Sequence, residues 1–368
     1  MGKAARAAGA TPPRRRRRRR LPEEIIVWEI LVRLPPQSLL RCRAVCRAWR
    51  SVTSKRRFLL AHHARQPALP IFHGSDEIFG VHYHNIRVFD HRADGGDLDT
   101  VARFDDAFDL EASCDGLLVL SKFDDADDSC AFSVCNPATR EHASLWWPSS
   151  DFDILGMYQH RPTGKYRLLL SVSVESYKGK ICCYVFPLGS TNPPRFIAWL
   201  ETTPDCLDVP VLVRDSLHWM RAPVAPVIDD AHIFDMDGTL GMYRRNAGKR
   251  KETVDVWVLR DYESEVWDKR YRIKLPLAEI RDQFMNDDDY CLDVVSADGD
   301  VLVLLLLGRY VIHVNSDGKL LENFNLGREN LCMAKCRLKQ SLVRCKKLPA
   351  LEDYAVNASP WLPKPPYL

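Results

Sequence analysis

The chain has 368 residues, of which 46% are hydrophobic, enough for one large or two ordinary globular domains with a sizeable core. Its formal net charge of +3 hides an asymmetry, because an unbroken run of seven arginines at residues 14–20 leaves −4 for the rest. The longest wholly apolar run, residues 301–307, is far shorter than the roughly 20 residues that a membrane helix requires. Composition therefore excludes a membrane-spanning helix and predicts a soluble folded chain with one basic tail.

Residues 1–20 form this basic tail, which we predict to be disordered because like charges repel and no apolar core can form. The tail has no apolar segment for a signal peptide, and Arg6 stands where N-myristoylation requires Ser or Thr, so export is not expected. The arginine run is a nuclear-import candidate, or else an arm that binds nucleic acid through salt-dependent phosphate contacts. Without a stacking-aromatic RNA module we favour import, and expect a protein of the nucleus and cytoplasm. The arginines concerned are Arg14, Arg15, Arg16, Arg17, Arg18, Arg19 and Arg20.

The twelve cysteines are expected to be reduced thiols, mostly buried as small hydrophobic side chains, because no export signal accompanies them. Cys42 and Cys46 are four residues apart, as are Cys332 and Cys336, but no pair has the two-residue gap of a zinc knuckle. No metal and no cofactor is predicted.

Residues 21–66 are helical by pattern and begin "LPEEIIVWEILVRLPPQSLLRCRAVCRAWRSV". Pro22 suits the first turn of a helix that runs to Leu34, where a Pro-Pro pair stops it. Ser38 is predicted to cap a second helix, and residues 47–52 form a third. The pair at His62 and His63 closes the zone and is expected to be a solvated basic end.

The first helix is apolar on nearly every side, which requires burial on more than one side. A unit of about 45 residues cannot supply that burial alone, because so small a chain leaves much of its surface exposed. Two explanations stay open from the residues themselves. The surplus apolar surface binds a partner, or it packs on the rest of the chain.

Residues 67–350 are dense in short β-branched and aromatic runs separated by Gly, Pro, Asp and Asn, a pattern typical of strands and turns. An Asp-Gly pair followed at once by apolar residues recurs in "CDGLLVL", "MDGTLGMY", "ADGDVLVLLLL" and "SDGKLLENF", and each pair predicts a tight hairpin turn. The predicted strands are residues 84–89, 116–121, 131–135, 166–174, 180–186, 209–214, 254–260, 266–275, 301–307 and 310–315.

This zone is too long for a single β-sandwich. Its length suits a ring of repeated four-stranded blades, each of roughly 40 to 50 residues. We therefore predict an α+β multidomain chain: a small three-helix unit followed by an all-β, propeller-like domain of about six blades. Residues 351–368 carry four prolines and are expected to be a tail over the surface.

One short string indicates a different chemistry. Residues 235–239 read Asp-Met-Asp-Gly-Thr, which resembles the first motif of the haloacid dehalogenase family, with Asp235 as nucleophile and Asp237 as general acid beside Mg²⁺. That family requires a parallel sheet with helical crossovers, whereas the segments that follow read as adjacent strands. Lys269, Lys274 and the "NDDDY" stretch at residues 286–290 are the candidate partners, in a strand pattern and a solvated loop. A phosphatase stays a remote alternative, and the favoured interpretation is a hairpin turn at Asp237.

The helical zone resembles the F-box. That pattern runs Leu-Pro, an acidic pair, an apolar helix ending in Leu-Pro, then Ser-Leu-Leu-Arg and Val-Cys-Arg-x-Trp-Arg-Ser, and this sequence matches it in register. Trp28 is bulkier than the usual residue at its position. The resemblance implies docking on the Skp linker subunit of a Skp-cullin-F-box ubiquitin ligase. By residue-for-residue correspondence the interface or its supporting core comprises Leu21, Pro22, Ile25, Ile26, Ile30, Leu31, Leu34, Pro35, Leu39, Val45, Cys46 and Trp49.

The β zone is similar to the F-box-associated domain common in plant F-box proteins, through "SCDGLLVL", "VCNPATRE", "DSLHWM" and "VDVWVLRDYESEVWDKRYRIKLP". The resemblance implies a non-catalytic adaptor whose β domain captures an unidentified protein target for ubiquitination, and whose linker subunit connects it to cullin. Nucleic acid is not the expected partner, and no membrane contact is expected. The rival class is a nucleic-acid-binding protein that acts through the arginine tail.

Overall fold

A computed structural model describes residues 21–78, 81–92, 97–124, 129–147, 151–173, 180–201, 209–220, 231–246, 252–284, 290–297, 299–327 and 329–343. The chain divides into two compact units, with the boundary between His62 and His63. The basic tail and the proline-rich tail predicted from the sequence lie outside the described residues. Among those residues, no helix combines the length and apolarity that a membrane span requires.

The helices of the chain are α1 (Glu23–Ile25), α2 (Pro36–Val45), α3 (Arg47–Thr53), α4 (Arg56–Arg65) and α5 (Leu277–Phe284). The predicted first helix is present as one helical segment of mixed geometry. After α1 it widens into a π-helical stretch, Ile26–Ile30, and then tightens into a 3₁₀ turn, Leu31–Arg33. It ends at Leu34, whose extended backbone (φ −66°, ψ 146°) is the conformation that a following proline imposes.

The prediction that Ser38 caps the second helix is wrong. Pro36 is the first residue of α2 and Pro35 occupies the cap position, so Ser38 lies within the first turn, and no side chain caps this end. The fixed φ of proline suits the first helical position, where its missing N–H leaves no hydrogen bond unmade. The predicted third helix is α3, and α4 is a further helix that makes the expected three-helix count too small.

The strands of the second unit are all antiparallel to the strands they pair with in the described part of the chain. They are β1 (Leu69–Ile78), β2 (Val81–Asp90), β3 (Asp97–Phe104), β4 (Asp109–Cys114), β5 (Leu117–Asp124), β6 (Ser129–Asn136), β7 (Glu141–Leu145), β8 (Asp153–His160), β9 (Lys165–Ser173), β10 (Ile181–Pro187), β11 (Arg195–Leu200), β12 (Val211–Val213), β13 (Ser216–His218), β14 (Ala231–Met236), β15 (Thr239–Asn246), β16 (Thr253–Asp261), β17 (Val266–Lys274), β18 (Cys291–Ala297), β19 (Asp300–Leu307), β20 (Tyr310–Asn315), β21 (Leu320–Asn325) and β22 (Asn330–Leu338).

These strands form five four-stranded sheets and one two-stranded hairpin, which is the arrangement of a five-bladed propeller. Four blades take consecutive strands: β4 to β7, β8 to β11, β14 to β17, and β18 to β21. The remaining blade has the order β22-β1-β2-β3, so the last strand of the domain pairs with the first. The predicted fold class is confirmed, and the expected count of about six blades is corrected to five among the described residues, with β12 and β13 as a separate hairpin.

Buried side chains connect neighbouring blades. One cluster joins Val256 of β16 to Val303 of β19, and another joins Val119 of β5 to Leu168 of β9. The blade closed by β22 packs on one neighbour through Leu118 and on the other through Leu304. The core is therefore distributed between the blades, as expected when each sheet buries a face only against its neighbours.

The Asp-Gly turns are where the sequence predicts them. Asp115 and Gly116 (φ 51° and 87°) connect β4 to β5, and Asp237 and Gly238 (φ 50° and 83°) connect β14 to β15. Positive φ at both central residues is the requirement of the tight hairpin turn whose twist matches the flanking strands. Gly299 and Gly318 also have positive φ, in the connections that follow β18 and β20.

All ten predicted strands are strands, but the sequence pattern missed several others. The blade-ending strand β21 and the closing strand β22 read as mixed polar stretches, because one side of each faces solvent and supplies little apolar signal. The helix α5 is a second omission, since the β zone was expected to hold strands only.

Candidate partner-docking site

The helical unit has a small core of its own. Val27, Leu31 and Val32 come from the first helical segment, Leu39 from α2 and Phe58 from α4, and each is at most 2% exposed. Their burial fixes which side of the first segment faces inward. The other side faces outward, and it mixes the charged residues Glu23, Glu24, Glu29 and Arg33 with Ile25 and Ile30.

Several large hydrophobic residues of the helical unit are exposed to solvent. Leu21 is 57% exposed, Ile25 and Ile30 are each 43% exposed, and Val45 at the end of α2 is 83% exposed. Exposed β-branched and leucine side chains gain roughly 1.5–3 kcal/mol each on full burial. A cluster of them on one small unit marks a surface that a partner can cover. We call these four residues, together with the exposed Pro22 and Pro35, the apolar face.

The π-helical stretch contributes to this face. Ile25 and Ile30 are five residues apart, and the backbone N–H of Leu31 donates to the carbonyls of both Ile26 and Val27. The wider turn lets two isoleucines five residues apart stay exposed while Val27 and Leu31 remain buried. Single π-helical turns are rare in proteins overall, but those that occur are often at functional sites.

The twelve predicted interface residues are distributed over three environments. The exposed ones are Leu21, Pro22, Ile25, Ile30, Pro35 and Val45. Those of intermediate exposure are Ile26, Leu34, Cys46 and Trp49. The buried ones are Leu31 and Leu39, which belong to the supporting core. The first six are open to solvent, and the other six are partly or fully covered.

His62 is not the solvated residue that the sequence indicated. It is fully buried, its Nε2 lies 2.8 Å from the carbonyl oxygen of Leu34, and its ring stacks on Phe58 at a centroid distance of 6.2 Å. Leu34 ends the helical segment, where carbonyl groups lack intrahelical partners. A histidine on α4 therefore satisfies the end of the segment that carries the apolar face.

His63 also has a partner, within the second unit. Its Nε2 lies 3.0 Å from Oδ1 of Asp115, and both side chains are largely buried. Burial alone raises the pKa of Asp115, but the hydrogen bond and charge of His63 outweigh it and hold the pKa below its usual value. Both histidines therefore have structural contacts, and the expectation of a solvated basic end is wrong.

Trp28 is accommodated within the helical unit. Its ring lies 5.7 Å from that of Phe58, and the guanidinium carbon of Arg57 lies 5.3 Å from its centroid. The extra bulk thus packs on α4, with a cation–π contact on the ring. The tryptophan supports the segment from inside and leaves the apolar face unchanged.

Arg43 connects α2 to α3. Its Nε donates to Oγ1 of Thr53 (2.9 Å) and its Nη2 to the Thr53 carbonyl (2.5 Å), while Thr53 Oγ1 donates to the carbonyl of Trp49 (2.7 Å). Burial, together with the charge of Arg50, lowers the pKa of Arg43. These bonds fix the angle between the two helices and hence the position of Val45 and Trp49.

Sequence reasoning missed Arg43, Thr53 and His62 as positioning residues. The available signals were weak: His62 follows Phe58 by four residues on a helix, which places both on one face. Polar contacts between elements distant in the chain leave no periodic trace, so only the packed structure shows them.

The helical unit is strongly basic. Residues 21–62 contain eight Lys or Arg and three Glu. One of the glutamates, Glu29, is paired with Arg33 at 2.8 Å on the surface. The unit therefore favours a partner with an acidic surface around an apolar contact.

The Asp-x-Asp-x-Thr string lies in an antiparallel hairpin. Asp235 is in β14 opposite Leu240 of β15, and its Oδ1 accepts a hydrogen bond from the backbone N–H of Gly238 at 2.7 Å. Burial raises the pKa of Asp235. This carboxylate stabilises a turn, and the parallel sheet that the phosphatase motif requires does not occur in the described residues.

Of the candidate partner residues for a phosphatase, Lys274 is exposed at the end of β17. Lys269 lies in β17 and pairs with Asp255 at 2.6 Å. Most of the acidic stretch at residues 286–290 lies outside the described residues.

No group of three or more metal-ligating side chains occurs in the part of the chain that the structure describes. Ten cysteines are free thiols there, but only Cys114, Cys135, Cys182 and Cys183 are buried. The expectation that most cysteines are buried is therefore too strong. Burial raises the pKa of Cys135 to about 12, which keeps that thiol protonated and unreactive.

Comparison with known families decides the identity of the helical unit. A family model described as F-box-like matches residues 19–64, the segment that contains the apolar face and its supporting core. The helical unit is an F-box-like domain. The match covers all twelve residues that the sequence pattern assigned to the partner interface, and we call residues 21–62 the F-box unit from here on.

Two relatives from Arabidopsis thaliana agree with this assignment. An F-box protein of that plant is 23% identical over 290 residues, which cover 67% of this chain and 77% of the relative. A probable F-box protein of the same plant is 24% identical over 239 residues, covering 61% of this chain and 55% of the relative. Both alignments are longer than the F-box itself, so the likeness extends into the β domain.

The solved structures that match this chain are only distantly similar to it in sequence and in structure. TolB from Acinetobacter baumannii gives a TM-score of 0.34 at 12% identity, over 77% of this chain and 71% of that one. The β-propeller domain of the Trilobed protease from Pyrococcus furiosus gives 0.27 at 9% identity, over 72% and 82%. Scores this low do not support an argument, and the propeller arrangement depends on the strand pairing alone.

Proposed function

We propose that this chain is the substrate-recognition adaptor of a Skp-cullin-F-box ubiquitin ligase. The F-box unit docks the Skp linker, which connects it to cullin, and the β domain captures a protein target. The single observation that carries the proposal is the apolar face, because its exposed residues lie within the segment that matches the F-box-like family.

The chemistry of the surface fits a protein partner. Ile25, Ile30 and Val45 present aliphatic side chains on a rigid scaffold, while the surrounding arginines favour an acidic rim on the partner. Apolar anchors surrounded by charged residues are typical of specific protein interfaces. The anchors supply affinity by desolvation, and the charges set orientation and association rate.

In this role the chain performs no bond chemistry. It holds target lysines close to a ubiquitin-charged enzyme elsewhere on the ligase, and the rate gain comes from effective concentration. The propeller suits such a task because its blades are held rigid by packing on each other, while their connecting loops are free to vary.

The proposal is tested by copurification of the full chain with the Skp linker and by titration of the two purified proteins. Replacing Ile30 or Val45 by Asp places a charge on the apolar face without touching the buried core. We expect each substitution to weaken linker binding at least tenfold, because an unpaired charge cannot be buried cheaply. The double variant Leu21→Ala/Pro22→Ala is also expected to weaken linker binding, because it removes apolar contacts.

Leu60→Asp is the matched control. Leu60 lies on α4, is 44% exposed like Ile30, and is outside the predicted interface. Unchanged binding in this variant, with loss in Ile30→Asp, supports the assigned face. Equal loss in both variants, or retained binding in Ile30→Asp and Val45→Asp, contradicts it.

For the arginine tail we propose nuclear import, supported by the run at residues 14–20. Deleting residues 1–20 is expected to abolish nuclear accumulation of a fluorescent fusion while leaving linker binding unchanged. Binding of the full chain to random duplex DNA that falls steeply with salt and disappears on the same deletion favours the nucleic-acid arm instead.

A further inference from the structure

The blade formed by β14 to β17 carries a row of cations on its last strand. Lys269, Arg272 and Lys274 of β17 are all exposed. Their partners across the sheet alternate along β16 and are, in the same order, Trp257, Asp255 and Thr253. Directly opposite residues of an antiparallel pair share a face, so the three cations project from one side of the blade. We call them the cationic row.

A β-bulge produces this row. Lys269 and Arg272 are three residues apart, and in a regular strand they would point to opposite faces. The pairing skips Arg270, the extra residue of the bulge, and so returns Arg272 to the face of Lys269. The contacts agree, because Lys269 lies 2.6 Å from Asp255 and Arg272 donates two hydrogen bonds to the same carboxylate.

The cations are held in place from beneath. Asp255 is 2% exposed, whereas Arg272 keeps 66% of its side chain in solvent. A guanidinium group has five N–H donors, and Asp255 accepts from two of them, at 2.8 and 3.0 Å. The ring of Trp257 adds a flat support, with Nζ of Lys269 5.1 Å from its centroid. Charges that only keep other strands away need no fixed positions, so this geometry indicates recognition.

The same strand has an open backbone edge. In the sheet order β14-β15-β16-β17 it is the last strand, so one edge has no strand partner among the described residues. Gly318 packs against the carbonyl of Lys274, and the edge before that residue is where an extended segment can add. Such a segment binds through backbone hydrogen bonds and gains specificity from its side chains. The apolar cluster described on this side of the blade, which joins Leu240 and Leu259 to Val213, includes none of the cations.

The charge pattern favours an acidic protein segment as the occupant. Like charges keep a second copy of β17 away. A nucleic acid presents phosphates and stacks its bases on open aromatic rings, whereas Trp257 already has Lys269 and Arg244 against its ring. Carboxylates at alternate positions of an extended chain are about 6.6–6.8 Å apart, the spacing of alternate residues on a strand such as Arg272 and Lys274.

We propose that the cationic row of β17 binds an extended acidic segment of the protein target. The inference rests on the proposed function, because it names the class of target that the β domain captures. The fixed cations orient the segment and raise its association rate. For a short acidic peptide we expect a dissociation constant on the order of 10–100 μM, with tighter binding at low salt.

Fluorescence anisotropy of a labelled peptide, Glu-Val-Glu-Val-Glu-Val-Glu, titrated with the full chain tests the proposal. Arg272→Gln and Lys274→Glu are each expected to weaken binding about fivefold or more. Lys122→Glu is the matched control and is expected to bind like wild type. Lys122 is an exposed cation on β5 that also has a carboxylate partner, Asp106 at 2.9 Å.

Asp255→Asn distinguishes fixed geometry from net charge. The substitution makes this face more positive but releases Lys269 and Arg272 from their shared partner. Weaker peptide binding in this variant at pH 7, with the fold checked by circular dichroism, supports the proposal. Tighter binding shows that net charge alone attracts the peptide and overturns it.

Several other outcomes overturn the proposal. They are a wild-type chain that does not bind the peptide, equal losses in Lys274→Glu and Lys122→Glu, and binding that disappears when residues 1–20 are deleted. Duplex DNA that loses affinity in Arg272→Gln while the peptide does not also overturns it, because the occupant is then a nucleic acid.

The linker titration is independent of this experiment. A chain that binds the Skp linker but not the peptide refutes this inference alone. A chain that binds the peptide through the cationic row but not the linker supports this inference and refutes the adaptor role alone.

Discussion

The Nε2 nitrogen of His62 donates a hydrogen bond to the backbone carbonyl of Leu34 across 2.8 Å. His62 is fully buried, and Leu34 is the residue at which the first helical segment ends. This bond connects α4 to the segment that carries the apolar face, together with the packing of Trp28 on Phe58. The bond adds to the buried core in holding the short unit together while several hydrophobic residues stay exposed.

Replacing His62 by Ala is expected to destabilise the F-box unit by about 2–4 kcal/mol. The substitution removes the hydrogen bond to Leu34 and opens a cavity beside Phe58. Hydrogen exchange of residues 23–65, read by mass spectrometry, measures the loss locally. His62→Gln retains a side-chain N–H donor and should lose less, and equal exchange in wild type and His62→Ala would show that the bond is not structural.

Asp255 is predicted to make the stability of the β domain depend on acid. Its carboxylate is nearly fully buried and accepts bonds from Arg272 at 2.8 and 3.0 Å, and Lys269 lies 2.6 Å away. Hydrogen bonding by Arg272, then by Lys269, against the opposing effect of burial, lowers the pKa of Asp255 to about 2. Because this pKa is depressed on folding, its stabilising contribution is complete above pH ~4 and disappears as pH falls towards 2.

Urea unfolding of wild type and Asp255→Asn at several pH values checks this dependence. We expect the variant to be less stable by about 1.5–3 kcal/mol near pH 7, the usual contribution of hydrogen bonds to a charged group. The gap should shrink between pH 4 and pH 2 as the wild-type carboxylate takes up its proton. A gap of constant size over that interval contradicts the assigned pKa.

Substitutions at two glycines in equivalent turns distinguish the stability cost of backbone strain from that of a steric clash. Gly116 and Gly238 have nearly the same φ, +87° and +83°. A Cβ at Gly238 meets nothing within 4 Å, whereas one at Gly116 lies 2.7 Å from Cβ of Ser341 and 2.8 Å from the carbonyl oxygen of Lys339.

Gly238→Ala is therefore expected to cost about 1–2 kcal/mol for the left-handed conformation alone. Gly116→Ala should cost about 1–3 kcal/mol more, because the chain after β22 must move. Chemical denaturation of both variants gives the difference directly. Equal losses of stability in the two variants would show that the segment at residues 339–341 moves aside without destabilising the domain.

The closing strand is expected to be essential for the stability of the propeller. Leu338 of β22 is fully buried and packs with Ile71 of β1, although the two are far apart in the chain. Leu338→Ala should destabilise the domain by about 2–5 kcal/mol. Leu321→Ala, at an exposed position of β21, is the control and should stay within about 0.5 kcal/mol of wild type in the same thermal or urea unfolding experiment.

Much of the architecture could be predicted from local patterns. The proline pair at residues 35 and 36 ended the first helical segment, and Asp115-Gly116 and Asp237-Gly238 turned hairpins, because these residue types restrict their own φ and ψ. The ten strands with dense β-branched or aromatic runs were also predictable. Strands such as β22 were not, because their apolar signal is diluted by solvent-facing residues.

The candidate site was predictable in a different way. Ile25, Ile30 and Val45 could be assigned through the F-box pattern, since each stands at a fixed place in a short motif. Their separation from Leu31 and Leu39 into an outer face and an inner core could not, because that depends on which side of a helix meets its neighbours.

By itself the sequence determined the identities of the turn residues and the apolar character of the first helical segment. Tertiary structure alone decided the number of blades, the pairing of β22 with β1 and the burial of His62. The physical reason is the separation along the chain of the groups that interact. A turn or a helix end is fixed by contacts within a few residues. Closure of a ring of blades and burial of a polar side chain depend on groups that the chain brings together only after it has folded.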